Sequence, residues 1–579
     1  MGPFEFGNTT VRSGSRLRDG LIAISISGKE GSLRERSGDM ALIDMLVASE
    51  VIEFRGEDTY SVGRKWRAAL CKMGLLFDKY ESNQEEIGQI DFITPSGKRL
   101  IGAESLAAQQ ECFLRAIAAM QLSFNGRSYK VGPGFSPLKH IVRAMLAIEK
   151  ETGSSQISFI EFASFIQFDP TKSSYETIVA SILKHRAGRS QSDNKKNYDT
   201  STLESSVETN GRVALTSYID YADENIRYLK ATGCFSTVGR GIAIAPGKYE
   251  LLTQLIDSIP ENSLIVEYWK NASDGSKLPI DDVNIAASSL EILQVEAKKR
   301  GIPFKENATS SDVGALNNSR YDLEELIALN QEFDFAHEQR NQVDEILQYL
   351  SALLPKDARP QGLIKNPEVE IPRGEGPAYL EWAVWRAFLA INKLKNPPYE
   401  SRKFKVDRDF LPTGHAPGNG PDLVFEFADY ILVVEVTLLT TDRQATAEQV
   451  GVRRHVYEIA KNSTDKPVYC LFLAPSIKNE TARDFRKASY EEDDGSELNL
   501  TIIPITISTF MHTFKSLLEE VEPNSGIFQT LINECARIAK DNLSTTEWLA
   551  SIEKTFITQF PYFWVNTHAS QSASTSSTP

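Results

Sequence analysis

GHAPGNGPDLVFEFADYILVVEVTLLT, residues 414–440, sets two short apolar runs behind a lead-in rich in Gly and Pro, with a carboxylate at the edge of each run. Gly418, Gly420 and Pro421 mark a tight turn. The runs that follow predict a strand at 423–427, a reversal at Ala428–Asp429 and a second strand at 430–436. Asp422 opens the first strand, and Glu435 stands near the end of the second, thirteen positions later. A buried carboxylate is costly unless it meets a partner or a metal. On adjacent strands of one sheet this spacing can bring both carboxylates to the same edge. Together with a nearby backbone carbonyl they would form a hard oxygen site suited to Mg²⁺. Such an ion polarises a phosphodiester, lowers the pKa of an attacking water and neutralises charge in the transition state.

The flanking sequence extends this core. AYLEWAVWRAFLAI predicts an apolar helix with Glu381 in its first turn, able to reach the same cluster. AEQVGVRRHVYEIAKN predicts a helix that carries Glu448, a fourth candidate carboxylate. PVYCLFLAPS reads as another buried strand, and LNLTIIPITISTFMHTF as a strand running into a helix. Helix, strand, strand, helix, strand, strand is an α/β core with its sheet covered by helices. Pro421-Asp422 followed by Glu435-Val436-Thr437 is the PD-(D/E)xK nuclease pattern with Thr437 at the lysine position.

Upstream, YSVGRKWRAALCKMGLLFDKYE has helical spacing, with Arg64, Lys65 and Arg67 flanking Trp66, and IDFITPSGKRLIG reads as a strand and a turn leaving through Lys98 and Arg99. A second block echoes the first. SPLKHIVRAMLAIEKE and ISFIEFASFIQF predict amphipathic helices, the latter with a capping box at Ser158 and Glu161. GRSQSDNKKNYDTSTLESS predicts a polar loop, and YADENIRYLKATGCFSTVGRGIAIAPGKYELL a helix and a short hairpin with Arg240 at its tip. Helices followed by a basic hairpin, twice over, are the pattern of winged-helix DNA readers. Arg64, Lys65, Arg67, Lys98, Arg99 and Arg240 are therefore the candidate contacts to DNA phosphates. The helical stretch 285–354 predicts a spacer, and the Pro/Gly-rich 354–377 a hinge.

The expected organisation is multidomain α+β. Two winged-helix-like recognition subdomains span 1–130 and 131–275, a helical linker with its hinge spans 276–370, the α/β cleavage domain spans 371–568, and 569–579 is a low-complexity disordered tail. A chain of 579 residues is too long for one ordinary core. Its net charge of −15 argues globally against nucleic-acid binding, although a basic face can coexist with acidic linkers. The five cysteines are scattered, no apolar run reaches the roughly 20 residues of a membrane span, and the N-terminus lacks the apolar core of a secretory signal. Those features predict reduced thiols in a cytoplasmic protein.

From about Ala378 to Ser476 the motifs HAPGN-PD, VEVT, RRH and YCLFLAP resemble, in order, the AlwI-type type IIS restriction endonucleases, a family that includes site-specific nicking endonucleases. GRKWRAALCKMG, ITPSGKRL and RYLKATGCFS resemble the family's recognition half. The resemblance implies recognition of a short asymmetric site in double-stranded DNA and Mg²⁺-dependent cleavage a few bases outside it. It implies that Glu381, Asp422 and Glu435 match catalytic carboxylates, that Glu448 and His455 also lie at the active site, and that threonine at the lysine position is a family trait. Arg453 or Arg454 could contact the scissile strand, and His415 could brace the turn. It further implies a cognate DNA methyltransferase as functional partner, and a second copy or a small nuclease subunit for cutting the second strand. A strand-specific nickase, the large subunit of a two-chain enzyme, a modification-dependent nuclease and a non-cleaving DNA-binding regulator remain open as alternatives.

Overall fold

The computed structural model describes residues 2–28, 38–49, 51–52, 60–77, 91–123, 134–210, 213–305, 312–360, 362–372, 374–391, 393–441, 443–463, 465–492, 495–519 and 526–557. The tail expected to be disordered, 569–579, lies outside them. Packing divides the chain into two units, Met1–Ala328 with Asp407–Asp409, and Leu329–Val406 with Phe410–Pro579. No helix among the described residues is long and apolar enough to cross a membrane. All five cysteines are buried, and no disulfide forms among the described residues.

The first unit is mostly helical, with two small antiparallel ribbons. One pairs β1 (Leu122–Ser123) with β2 (Gly134–Phe135), the other β3 (Phe235–Val238) with β4 (Gly241–Ile244). Gly239, at φ 58°, and Arg240 form the two-residue turn between β3 and β4, so Arg240 stands at a hairpin tip as the sequence predicts. Residues from both expected recognition subdomains share one core, which runs from Phe4 to Ile280. The boundary expected near residue 130 therefore does not divide the packing.

Two local expectations are corrected. Thr94-Pro95-Ser96-Gly97 does not turn a hairpin; it starts a helix, Pro95–Gly102. Thr94 is the N-cap, its hydroxyl accepting the Gly97 N–H at 3.0 Å, and Pro95 occupies the first turn, where its missing N–H costs nothing. Lys98 and Arg99 consequently sit on that helix. The polar segment 188–206 is not a loop but parts of two helices, Tyr175–Gln191 and Lys195–Asn210. Few of its residues are apolar because few are buried, Leu203 and Ser206 being the buried pair of the second helix. The capping box at Ser158 and Glu161 is present, although the α-helix it starts passes after Glu161 into a π-helical turn, Phe162–Ile166.

The second unit is built on a four-stranded sheet of β5 (Leu423–Glu426), β6 (Ile431–Val436), β7 (Val468–Ala474) and β10 (Ile502–Thr506). A separate ribbon pairs β8 (Ser489–Glu491) with β9 (Glu497–Asn499). The sheet order is β10-β7-β6-β5, parallel except for the β5–β6 hairpin. Side chains alternate cleanly between its faces. Leu432, Val434, Leu471, Leu473, Ile503 and Ile505 pack toward helix Gly376–Ile391, whose every residue from Ala378 on is buried. Val433, Cys470, Phe472, Ala474 and Ile502 pack toward helix Arg443–Asn462. Both faces are covered, which is what near-continuous apolar strands require.

The expected linker and hinge also differ. Helix Val343–Leu353 is no spacer, since Ile346, Leu347 and Leu350 are buried in the second unit's core together with Leu354. The segment after it is tied back, the Ser351 hydroxyl donating to the Ile364 carbonyl at 2.6 Å.

Candidate active site

Register builds the site. Leu423 pairs with Val434, so Asp422, one residue before β5, lies opposite Glu435. The Val436 N–H donates to Asp422 Oδ2 at 2.9 Å, holding that carboxylate across the strand end. Glu435 is two residues beyond Val433 and shares its face, toward helix Arg443–Asn462. On that helix Gln444, Glu448 and His455 recur at i, i+4 and i+11, which sets them along one stripe. Glu381 arrives from the helix on the opposite face, buried, with Oε2 accepting the Ala416 N–H at 2.7 Å.

Burial raises the pKa of all four carboxylates, and in three of them the charge of a neighbouring carboxylate raises it further. For Glu381 the next contribution is the charge of Asp422, for Asp422 that of Glu435, and for Glu435 that of Glu448. Glu448 is raised by burial too, opposed by a hydrogen bond from Thr437 and by His455. Asp422 and Glu435 lie opposite each other at the strand edge, and the charge of Glu435 disfavours ionisation of Asp422. A hard divalent cation would offset that crowding of negative charge, and carboxylate oxygens are the donors it takes. Among the described residues, no group of three or more His, Cys, Asp or Glu side chains is placed so that it could hold a metal ion.

His455 is held by charge and by tautomer. Burial first, and Arg454 second, lower its pKa, so it is neutral at pH 7. Arg454 Nη2 lies 3.3 Å from His455 Nε2, and a guanidinium only donates, so Nε2 accepts. The ring proton is therefore on Nδ1, which donates to Glu435 Oε1 at 2.9 Å. The sequence marked His455 only through a resemblance; its bond to Glu435 shows what it touches.

Thr437, at the motif's lysine position, is buried, and its N–H donates to the Leu473 carbonyl at 2.9 Å. Gln444 is wholly buried, its amide donating to the carbonyls of Leu439 at 2.8 Å and Ser476 at 2.9 Å and accepting from Lys478 N at 3.0 Å. It clasps the turns that leave β6 and β7. Sequence reasoning missed Gln444 and the Ala416 N–H; a polar residue one turn before Glu448 was the available signal for the first.

The remaining candidates fall in different places. His415 Nδ1 donates to the Ala416 carbonyl at 2.9 Å, a brace within the turn. Arg453 is engaged by the Gln449 carbonyl and by Asp484. Arg454 reaches the Gly418 carbonyl at 3.4 Å, and its buried Nε has no hydrogen-bond partner. In the first unit, Arg64, Lys98, Arg99 and Arg240 are exposed and Lys65 is half-buried. Lys98 pairs with Asp91, Arg99 donates to the Asp274 carbonyl, and the Arg240 guanidinium lies over the Phe159 ring. Arg67 is different: it is buried in an ion pair with Asp39 at 2.7 Å, which takes it off the surface expected to meet DNA.

The family model of the AlwI restriction endonucleases matches residues 71–513, well over half of the chain. Among solved structures, a similar chain is the small subunit of the heterodimeric restriction endonuclease R.BspD6I, with 25% sequence identity, a TM-score of 0.26, and coverage of 31% of this chain and 89% of that one. No curated protein matches the sequence.

Proposed function

The chain belongs to the AlwI restriction endonuclease family, and from that premise we propose a type IIS-like, Mg²⁺-dependent endonuclease. It binds a short asymmetric site in double-stranded DNA and hydrolyses a phosphodiester a few bases outside it. The observation that carries this reading is the apposition of Asp422 and Glu435 at one strand edge, with Glu381, Glu448 and His455 converging from helices on both faces.

In this reading the second unit is the PD-(D/E)xK cleavage domain, and Asp422 and Glu435 hold the metal with support from Glu381. The bound ion would activate water and offset the phosphate's negative charge. His455 donates to Glu435 and fixes the direction of its carboxylate, as an outer partner does for a ligand. Glu448 orders a second ion or a water. Arg454, half-buried beside His455, is the group suited to the scissile strand's phosphate. The first unit supplies DNA contacts through Arg64, Lys65, Lys98, Arg99 and Arg240. The Lys98–Asp91 pair is exposed on both sides, so little is lost when Lys98 exchanges its carboxylate for a phosphate.

The test is cleavage of supercoiled plasmid by Asp422→Ala and Glu435→Ala. Cutting should fall at least about 10³-fold while specific binding in Ca²⁺ stays within a few-fold of wild type. Either variant cutting at the wild-type rate would refute the assignment. The same time course bears on the second reading, a nicking enzyme or the large subunit of a two-chain enzyme. One such constellation per chain, as the described residues have it, hydrolyses one phosphodiester at a time, so nicked circles should come first. Linear product should then rise with enzyme concentration if a second copy cuts the other strand, and stay low if a small nuclease subunit is needed.

A further inference from the structure

We propose that Gln444 is a positioning residue of the cleavage site, its side chain fixing helix Arg443–Asn462, which carries Glu448 and His455, against the ends of β6 and β7. The inference rests on the nuclease reading of the site, although the hydrogen bonds behind it stand on their own.

The Gln444 side chain is wholly buried and bonds only to backbone. Its amide N–H groups donate to the Leu439 carbonyl at 2.8 Å and the Ser476 carbonyl at 2.9 Å, and its Oε1 accepts the Lys478 N–H at 3.0 Å. Carbonyls only accept and a backbone N–H only donates, so these partners fix which way the amide faces. Leu439 follows β6, while Ser476 and Lys478 follow β7. One side chain thus ties together the turns that leave two adjacent parallel strands. The first of these turns is itself ordered. Its Thr437 N–H donates to the Leu473 carbonyl at 2.9 Å, and its Leu439 N–H to Thr437 Oγ1 at 3.2 Å.

The same helix is attached a second time. His455, eleven residues on, donates from Nδ1 to Glu435 Oε1 at 2.9 Å. Eleven residues make about three turns, roughly 16 Å of helix. Glu448 lies between the two attachments, one turn past Gln444. A helix pinned at one point can pivot or slide. Pinned at two, it holds Glu448 and the His455–Glu435 bond in place at the strand edge. A displacement of about 1 Å in such groups costs on the order of 10²-fold in rate. An apolar side chain at 444 would leave two carbonyls and an N–H without this partner, so the turns and the helix would no longer move as one body. Gln444 therefore acts through Glu448 and His455 and does not itself touch the reacting atoms.

The experiment is a double-mutant cycle in the full chain with Gln444→Met, which keeps the bulk and removes all three bonds, and His455→Ala. Plasmid cleavage with Mg²⁺ gives kcat and KM. Nitrogen-15 NMR of histidine-labelled protein, without metal or DNA, reports the His455 ring independently of turnover, its signals assigned by their loss in His455→Ala. Gln444→Met should lower kcat about 10- to 100-fold with KM for DNA unchanged. The His455 signals should move from those of a single Nδ1–H tautomer toward a mixture of both. On the His455→Ala background Gln444→Met should cost little more. A purely structural role would lower the denaturation midpoint while leaving kcat and the His455 signals of the folded protein unchanged. That result, or full additivity with His455→Ala, would overturn the proposal. If Gln444→Met does not fold, Gln444→Asn, one methylene too short to reach all three partners, carries the same measurements. Should Asp422→Ala and Glu435→Ala cut normally, the nuclease reading itself falls; should they be inactive while Gln444→Met cuts as wild type, this inference alone falls.

Discussion

Glu224, in the first unit, has no exposed surface; its Oε1 accepts the Gly7 N–H at 2.7 Å, and its Oε2 has no hydrogen-bond partner. Burial, reinforced by the charge of Glu5 and opposed by Lys72 and Arg12, raises its pKa to about 8. His140 is buried just as deeply, and the same desolvation lowers its pKa to about 4. The two groups act on stability with opposite signs. Between pH 4.5 and 8 folded Glu224 holds a proton that the unfolded chain releases, so its contribution is full below 4.5 and is lost as pH rises through 8. Between pH 4 and 6.5 unfolded His140 takes up a proton that the folded ring refuses, so its contribution is present above 6.5 and is lost as pH falls toward 4. Denaturant melts at several pH values should therefore show Glu224→Gln gaining on wild type by a few kcal/mol, on the order set by the shift, as pH rises from 5 to 8.5. A difference that does not change with pH would mean that Glu224 ionises normally. The carboxylates of the second unit obey the same physics, but four of them gather at one edge, and that gathering is what separates a site from a buried residue.

Helix Pro95–Gly102 tests how an element is specified. Thr94 caps it and also donates to the Gly74 carbonyl at 2.6 Å, while a Cβ on Gly97 would lie 2.3 Å from the Leu75 carbonyl oxygen. Thr94→Ala should therefore cost about 1–2 kcal/mol in denaturant melts, with Thr94→Ser close to wild type. A hairpin turn at this place would have tolerated alanine. Thr-Pro-Ser-Gly fits a turn and a helix start equally well in sequence; only the close passage of residues 74–75 decides between them. The β5–β6 hairpin was legible because its apolar runs are short and bounded by Gly, Pro and Asp, and the apposition of Asp422 with Glu435 followed from strand spacing alone. Residues 188–206 were not legible as helix, since an exposed helix needs little apolar periodicity. Glu381 was marked by its place in an apolar helix. The link from Ala416 to Glu381 depends on where the lead-in comes to rest, and no local pattern encodes that.

At the scale of the whole molecule, the division of labour does not fall where Pro and Gly accumulate. Residues 354–377 look like a linker, yet Ile346, Leu347, Leu350 and Leu354, all before or at its start, are buried with Leu380 and Trp382 in one core. Arg386, itself buried, is satisfied by Gln339 at 2.6 Å and Glu345 at 3.2 Å, and the Phe335 and Trp385 rings stack with centroids 5.6 Å apart. A fragment beginning near residue 372 would lose every one of these partners. Four aliphatic side chains removed from a core correspond to roughly 6–12 kcal/mol at about 1.5–3 kcal/mol each, comparable with the whole stability of a typical domain at about 5–15 kcal/mol. Stranding the Arg386 guanidinium without its acceptors adds to that cost. The fragment starting near 372 should therefore be insoluble or lack cooperative melting, whereas one starting at Leu329 should melt cooperatively and cut DNA weakly and without sequence preference. Circular dichroism melts and a plasmid nicking assay on the two fragments separate these outcomes. Cooperative folding of the shorter fragment would show that helix Val343–Leu353 is a spacer after all, and selective cutting by the longer one would place DNA recognition in the second unit.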